Sequence, residues 1–189
     1  MGTRSVGQAR DMGDIATRRG LVTIRLGREE DAAAYRELRL EALRNHPEAF
    51  SSDYETALAK PMSYWTKRLR FDDPDNGAML YFAVHDGLLI GMCGITHTDA
   101  PKQKHSAYIV SMYVRPEWRG LRIAEELINT CLEWGRAQGI KIVKLGVTTT
   151  NTPAIRCYER CGFQVYGTEP QAIYLDGVFY DELLMARMV

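Results

Sequence analysis

The chain has 189 residues, 46% of them hydrophobic, with 24 Lys and Arg balanced by 24 Asp and Glu. That length fits one domain of about 100–200 residues, and the composition excludes a largely disordered chain, a collagen-like fibre and a disulfide-stapled miniprotein. No run reaches the roughly 18 apolar residues of a membrane helix, and zero net charge argues against a nucleic-acid partner, so attraction for an anion must come from a local cluster.

Residues 1–20 carry Arg4, Arg10, Arg18 and Arg19 with Asp11 and Asp14, and no apolar stretch. They read as a polar, mobile extension and not as a secretory signal. Residues 21–189 contain no repeat or low-complexity linker and are expected to form a single domain. Leu21 to Arg25 has a strand pattern. Asp31 to Asn45 predicts a helix with Tyr35, Leu38 and Ala42 on one stripe, ended by His46-Pro47. Ser63 to Phe71 predicts a second helix. Asp72 to Gly77 is a turn cluster. Ala78 to His85 and Leu88 to His97 read as strands joined at Asp86-Gly87, a hairpin signal because both turn positions need positive φ.

Ser106 to Val114 is the next strand. Ile123 to Gln138 is the strongest helix, with Ala124, Leu127, Ile128, Cys131, Leu132 and Gly135 on one face. Lys141 to Thr148 alternates like a strand. Thr152 is a candidate N-cap and Pro153 the first position of a short helix that Gly162 ends. Phe163 to Tyr166, Ala172 to Leu175 and Phe179 to Met188 are strand-like. The order β-α-α-β-β-β-α-β-α-β-β predicts an α/β (α+β) fold, a mixed sheet with helices on its faces. The four cysteines, at 93, 131, 157 and 161, form no C-x-x-C and no zinc spacing. They are expected to be reduced thiols in a cytoplasmic protein. Cys157 and Cys161, one helical turn apart, read either as a redox pair or as two small helix residues.

The stretch Val110 to Ala124 carries the most chemistry. A strand runs into Pro116, a short turn follows, and the amphipathic helix begins. The first N–H groups of that helix lack internal partners and its dipole is positive there. Gly120 allows a ligand to approach the backbone, and Arg115, Arg119 and Arg122 add charge. The turn reads as an anion site or as a solvated basic turn. It is neither a G-x-G-x-x-G nor a G-x-x-x-x-G-K-[ST] loop, which argues against the common nucleotide sites. Asn151 then ends a strand, and Tyr158 lies two helical turns beyond it, so both can face one groove. Tyr158 is either a core residue with its hydroxyl at the rim or a proton donor.

These residues resemble the GNAT superfamily of N-acetyltransferases over about residues 21–189, most sharply from Ser106 to Phe163. The family pattern R/Q-x-x-G-x-G/A after V-x-P is matched by Arg119-Gly120-Leu121-Arg122-Ile123-Ala124 after Val114-Arg115-Pro116. The pattern N-x-x-A-x-x-x-Y-x-x-x-G-F is matched by Asn151, Ala154, Tyr158, Gly162 and Phe163. Arg122 replaces the central glycine of the first pattern. We expect right-handed helix at that position, where Arg costs little; a left-handed conformation would cost of order 1 kcal/mol.

The resemblance implies an acetyl-CoA-dependent N-acetyltransferase fold, with acetyl-CoA as co-substrate in a gap between splayed strands and no metal. It implies backbone pairing of Met112, Tyr113 and Val114 with the pantetheine arm. It implies a pyrophosphate held by Arg119, Gly120, Leu121, Arg122, Ile123, Ala124 and Glu125, a pantetheine contact from Asn151, and Tyr158 as the catalytic acid for the departing thiolate. The attacking amine has a pKa near 10.4, so losing its proton at neutral pH costs roughly 4.6 kcal/mol. The positions where relatives carry a basic Glu hold Tyr108 and Gly146, leaving His105, Glu55 and His97 as candidate bases. For the acceptor, Glu48, Phe50, Tyr54 and Glu55, and Tyr174, Asp176, Tyr180, Asp181 and Glu182, form acidic and aromatic clusters suited to the primary amine of a small or amino-acid-like molecule or to an ordinary hairpin surface. A sensor of acetyl-CoA without turnover and a protein or peptide acetyltransferase are the alternatives. The edge of the last strands could support a homodimer.

Overall fold

The computed structural model describes residues 13–70 and 78–189. Its strands and helices are β1 (Gly13–Thr17), β2 (Gly20–Leu26), α1 (Ala32–Asn45), α2 (Tyr54–Leu58), α3 (Met62–Lys67), β3 (Ala78–His85), β4 (Leu88–His97), β5 (Ser106–Val114), α4 (Ile123–Ala137), β6 (Ile142–Thr148), α5 (Thr152–Arg160), β7 (Gln164–Leu175) and β8 (Val178–Met188). The described strands form one mixed eight-stranded sheet, ordered β1-β2-β3-β4-β5-β6-β8-β7. Phe71 and the turn cluster at 72–77 lie outside the described residues, as do residues 1–12.

Part of the expected extension is sheet. Gly13–Thr17 pairs antiparallel with β2, and Thr23 Oγ1 donates to Asp14 Oδ1 at 2.7 Å. The run is short and has one core-packing residue, Ile15, too weak a pattern to stand out in the sequence. The Asp86-Gly87 hairpin forms as expected, with φ of 46° and 79°. The last two predicted strand segments before the C-terminal strand are one, β7, whose register shifts twice against β8. Asn151, not Thr152, caps α5: its side chain accepts from the Ala154 N–H at 3.3 Å.

Alternation along the strands splits the core between the two faces of the sheet. Leu80 and Phe82 of β3 join Tyr35, Leu38 and Trp65 beneath α1 and α3. Tyr81 and Ala83 point the other way, toward Ile123, Leu127, Ile128, Cys131 and Leu132 of α4. Fully burying each large side chain contributes about 1.5–3 kcal/mol, so these two layers fix the helices against the sheet. The four cysteines are buried free thiols.

Two irregularities shape the middle of the sheet. Ser111 has φ of 55° within β5, and there the register against β4 skips from Met92–Tyr113 to Gly94–Val110. This β-bulge reverses the alternation: Ala107 and Ile109 face the α4 layer before it, Met112 and Val114 after it. The second irregularity is a parting of strands. β5 and β6 pair in parallel only at Ser106–Ile142, Ala107–Val143 and Tyr108–Lys144. Beyond Tyr108 they diverge, and β8 continues to pair with β6 as far as Thr148–Glu182.

Candidate active site

Two cavities meet in the gap between β5 and β6. One, of about 610 Å³, runs along the N-terminal ends of α4 and α5 and is lined by Val114, Gly120, Arg122, Ile123, Glu125 and Asn151, among others. The other, of about 850 Å³, is enclosed by α1, α2, α3, β5 and β6. Phe50, Met112, Asn151, Ala154 and Tyr158 border both. The expected neighbourhood of Asn151 and Tyr158 is therefore present.

The turn before α4 differs from expectation at Arg122. Its φ is 61° and ψ is 13°, a left-handed conformation. Gly120 is also left-handed, at φ 74°, with no atom within 4 Å of where its Cβ would lie. Two left-handed residues so close together roll the backbone into a concave turn that leads into the unpaired N–H groups of α4. The fold therefore uses the conformation for which relatives carry glycine, and here an arginine adopts it at a cost of order 1 kcal/mol.

The three arginines of this turn have different duties. Arg115 pairs with Glu41 of α1 at 3.2 Å. Glu41 also accepts from the Tyr113 hydroxyl at 2.9 Å, and burial together with that bond pushes the Tyr113 phenol up to about 12. Arg119 donates from Nε to the Val114 carbonyl at 3.0 Å, and its Nη2 lies 2.9 Å from His46 Nε2. Both arginines hold the end of β5 in place. Arg122 lines the cavity and makes no ion pair among the described residues. Glu125, an acid in the first turn of α4, is held by Arg160 at 2.7 Å, which offsets its charge beside the expected anion site. Leu121 packs against the α4-side core. The remaining predicted residues of the turn, Ile123 and Ala124, line the smaller cavity with Met112, Tyr113 and Val114.

Tyr158 is 7% exposed, and Phe163 lies edge-on to its ring at 6.0 Å. Burial, assisted by the surrounding cysteine thiols and Glu182, pushes its phenol well above the usual tyrosine range. It therefore keeps its proton at neutral pH. None of the expected bases reaches the junction. His105 and His97 lie at the paired end of β5, where the His105 carbonyl accepts from Lys141 and Ile142 and His97 packs on Trp134. Glu55 sits on α2 and lines neither cavity.

Glu182 takes the place they leave. It projects from β8 over Gly146 of β6, where an added Cβ would collide with its Oε2. Burial and the nearby Glu169 raise its pKa above the ordinary carboxylate range. Of the C-terminal cluster, Glu182 alone lines the larger cavity; the Asp181 carboxylate instead accepts from the Gln171 N–H at 2.8 Å and supports the bulge in β7. Sequence reading also missed Arg39. Its signal was a charged residue four positions after Tyr35, on the buried face of α1.

The profile of the acetyltransferase (GNAT) family matches residues 34–163, and the chain belongs to that family. It is 32% identical over 144 residues to a mycothiol acetyltransferase of Brachybacterium faecium, covering 75% of this chain and 40% of that protein. The chain thus spans about two fifths of that relative. It is 30% identical over 128 residues to the L-amino acid N-acetyltransferase AaaT of Escherichia coli, covering 66% of this chain and 75% of that one. Among solved structures, a GNAT-family acetyltransferase from Streptococcus pneumoniae superposes with a TM-score of 0.78 at 21% identity, covering 89% of this chain and 99% of that one. No cluster of three or more His, Cys, Asp or Glu among the described residues is arranged to hold a metal ion. No described helix is long and apolar enough to cross a membrane.

Proposed function

We propose that the protein transfers an acetyl group from acetyl-CoA to a primary amine of a small molecule by direct attack, with Tyr158 giving its proton to the departing thiolate. The observation that carries this reading is the position of Tyr158: a buried, protonated phenol where two separately lined cavities meet. A sensor without turnover has no use for a proton donor at that junction.

The smaller cavity suits acetyl-CoA. Its turn offers the N–H groups of Ile123, Ala124 and Glu125 and the Arg122 guanidinium to a pyrophosphate. When bound, acetyl-CoA supplies an acyl group activated as a thioester. The bulge at Ser111 frees backbone groups at Met112 from the β4 ladder, and these orient the carbonyl and the pantetheine arm with Tyr113 and Val114. The Asn151 side-chain oxygen is engaged in capping α5, which leaves its amide N–H groups for the pantetheine.

Glu182 receives the proton of the acceptor ammonium, directly or through water. Its raised pKa lies closer to neutrality than that of an exposed carboxylate, which suits a general base. The acceptor amine approaches through the larger cavity and Tyr158 faces the leaving sulfur. Glu182 passes the first ammonium proton on to solvent, and the second, lost from the nitrogen as the tetrahedral intermediate collapses to the amide, replaces through water the proton that Tyr158 gives to the thiolate.

Tyr158→Phe tests this reading. Turnover, followed as thiol release, should fall about 100-fold, while the dissociation constant for acetyl-CoA changes by less than about threefold. Equal losses in turnover and affinity would assign Tyr158 to binding alone.

A further inference from the structure

We propose that the acceptor is an amino acid with a free carboxylate, and that Arg39 receives that carboxylate inside the larger cavity. This rests on the acetyltransferase reading above and names its second substrate.

Arg39 is 9% exposed, lines the cavity, and stacks its guanidinium over Phe50 at 4.4 Å. Its Nη1 has no hydrogen-bond partner among the described residues. Among the described residues, the neighbours that influence its charge are Tyr35, Tyr64 and a second guanidinium, Arg68, and no carboxylate is among them. Burying a guanidinium without an anion is costly, and buried cations are paired in most proteins. Asp53, the acid that α2 brings to the cavity wall, has its Oδ1 engaged by the Thr56 N–H at 2.8 Å. The indole Nε1 of Trp65, in the same wall, is a second buried donor without an acceptor.

The far side of the cavity has the opposite deficit. There the Glu182 side chain makes no hydrogen bond or ion pair among the described residues, and the buried Thr148 Oγ1 beside it lacks a partner among them. Donors without acceptors lie at the α1–α3 side, and a carboxylate and a hydroxyl with acceptor capacity to spare lie at the β6–β8 side. A ligand that satisfies both has an anion at one end and an ammonium at the other. A planar carboxylate with two oxygens suits a guanidinium fork and an indole N–H. The ammonium end then lies beside Glu182 and Tyr158, where transfer takes place.

The test compares L-amino acids with their own amides and with the matching decarboxylated amines, by thiol release from acetyl-CoA. Losing one partner of a buried charge pair is expected to lower kcat/KM for the amide and the amine by roughly 30-fold or more. Arg39→Met should shrink that preference to within a few-fold, and Arg39→Lys should restore part of it. Stabilisation of each variant by acetyl-CoA reports that it is folded. Calorimetric titration of amino acids into the CoA complex reads the carboxylate site without turnover. Preference for the free acid in binding but no thiol release from any amine would leave the carboxylate site standing and overturn the transfer reading. Equal use of acids, amides and amines, or use of peptide N-termini in place of amino acids, would overturn the carboxylate site and leave transfer standing. No binding and no turnover of amino acids would likewise overturn it.

Discussion

Arg122 holds a left-handed conformation where the family pattern has glycine, and its side chain makes no hydrogen bond or ion pair to the described residues that would offset the strain. Strain that persists at a ligand-binding turn is commonly tied to what the turn binds. Two effects of opposite sign therefore meet in one side chain, and Arg122→Gly should separate them. Unfolding in urea is expected to show a gain of up to about 1 kcal/mol, reduced in part by the greater freedom of glycine in the unfolded chain. Acetyl-CoA affinity should fall, and its dependence on salt should weaken, because an exposed guanidinium is lost from the phosphate site. With Glu182 as the proposed base, activity becomes pH-dependent. A base works in its unprotonated form, so activity should decline as pH drops through its raised pKa. Glu182→Gln is expected to abolish that acid limb and to lower kcat about 100-fold, which a pH–rate profile would show. The family motif made Tyr158, Asn151 and the α4 turn readable in the sequence. The place of the proposed base was not readable, because Glu182 reaches the junction from a neighbouring strand through the space above Gly146, and strand pairing at that distance leaves no local trace.

Strand β5 shows how one residue can direct an element. Its boundaries follow from an apolar run closed by Pro116, and the sequence locates them correctly. The bulge at Ser111 has no comparable signal, since no glycine marks it. Ser tolerates φ of 55° where a β-branched residue does not. Ser111→Val is therefore expected to cost about 1–3 kcal/mol, seen as a lower denaturation midpoint, and to reduce turnover beyond that loss because Met112 is re-aimed. Ser111→Gly should keep both. Helix α1 carries a similar lesson. Tyr35, Leu38 and Ala42 define its apolar stripe, and they made the helix legible. Arg39 breaks the stripe at a position whose burial becomes visible only when α3 and Phe50 close over it.

Across the whole molecule, a mixed sheet covered by helices was legible from hydrophobic periodicity and turn residues. The order of strands was not, because the positions of β8 beside β6 and of β7 at the edge depend on contacts remote in sequence. The first hairpin escaped for the opposite reason: Gly13–Thr17 is sheet by virtue of its partner and has little apolar pattern of its own. The parting of β5 from β6 has a kinetic consequence. If acetyl-CoA and the amine occupy the two cavities as proposed, each has its own chamber and the two meet around Phe50, Met112, Asn151, Ala154 and Tyr158, so one need not leave before the other arrives. Initial rates measured at several fixed levels of acetyl-CoA should then give double-reciprocal lines that intersect. Parallel lines would instead indicate an acetylated enzyme formed between the two half-reactions. The fold thus favours a single encounter of three bodies, with free CoA released only after the amide has formed.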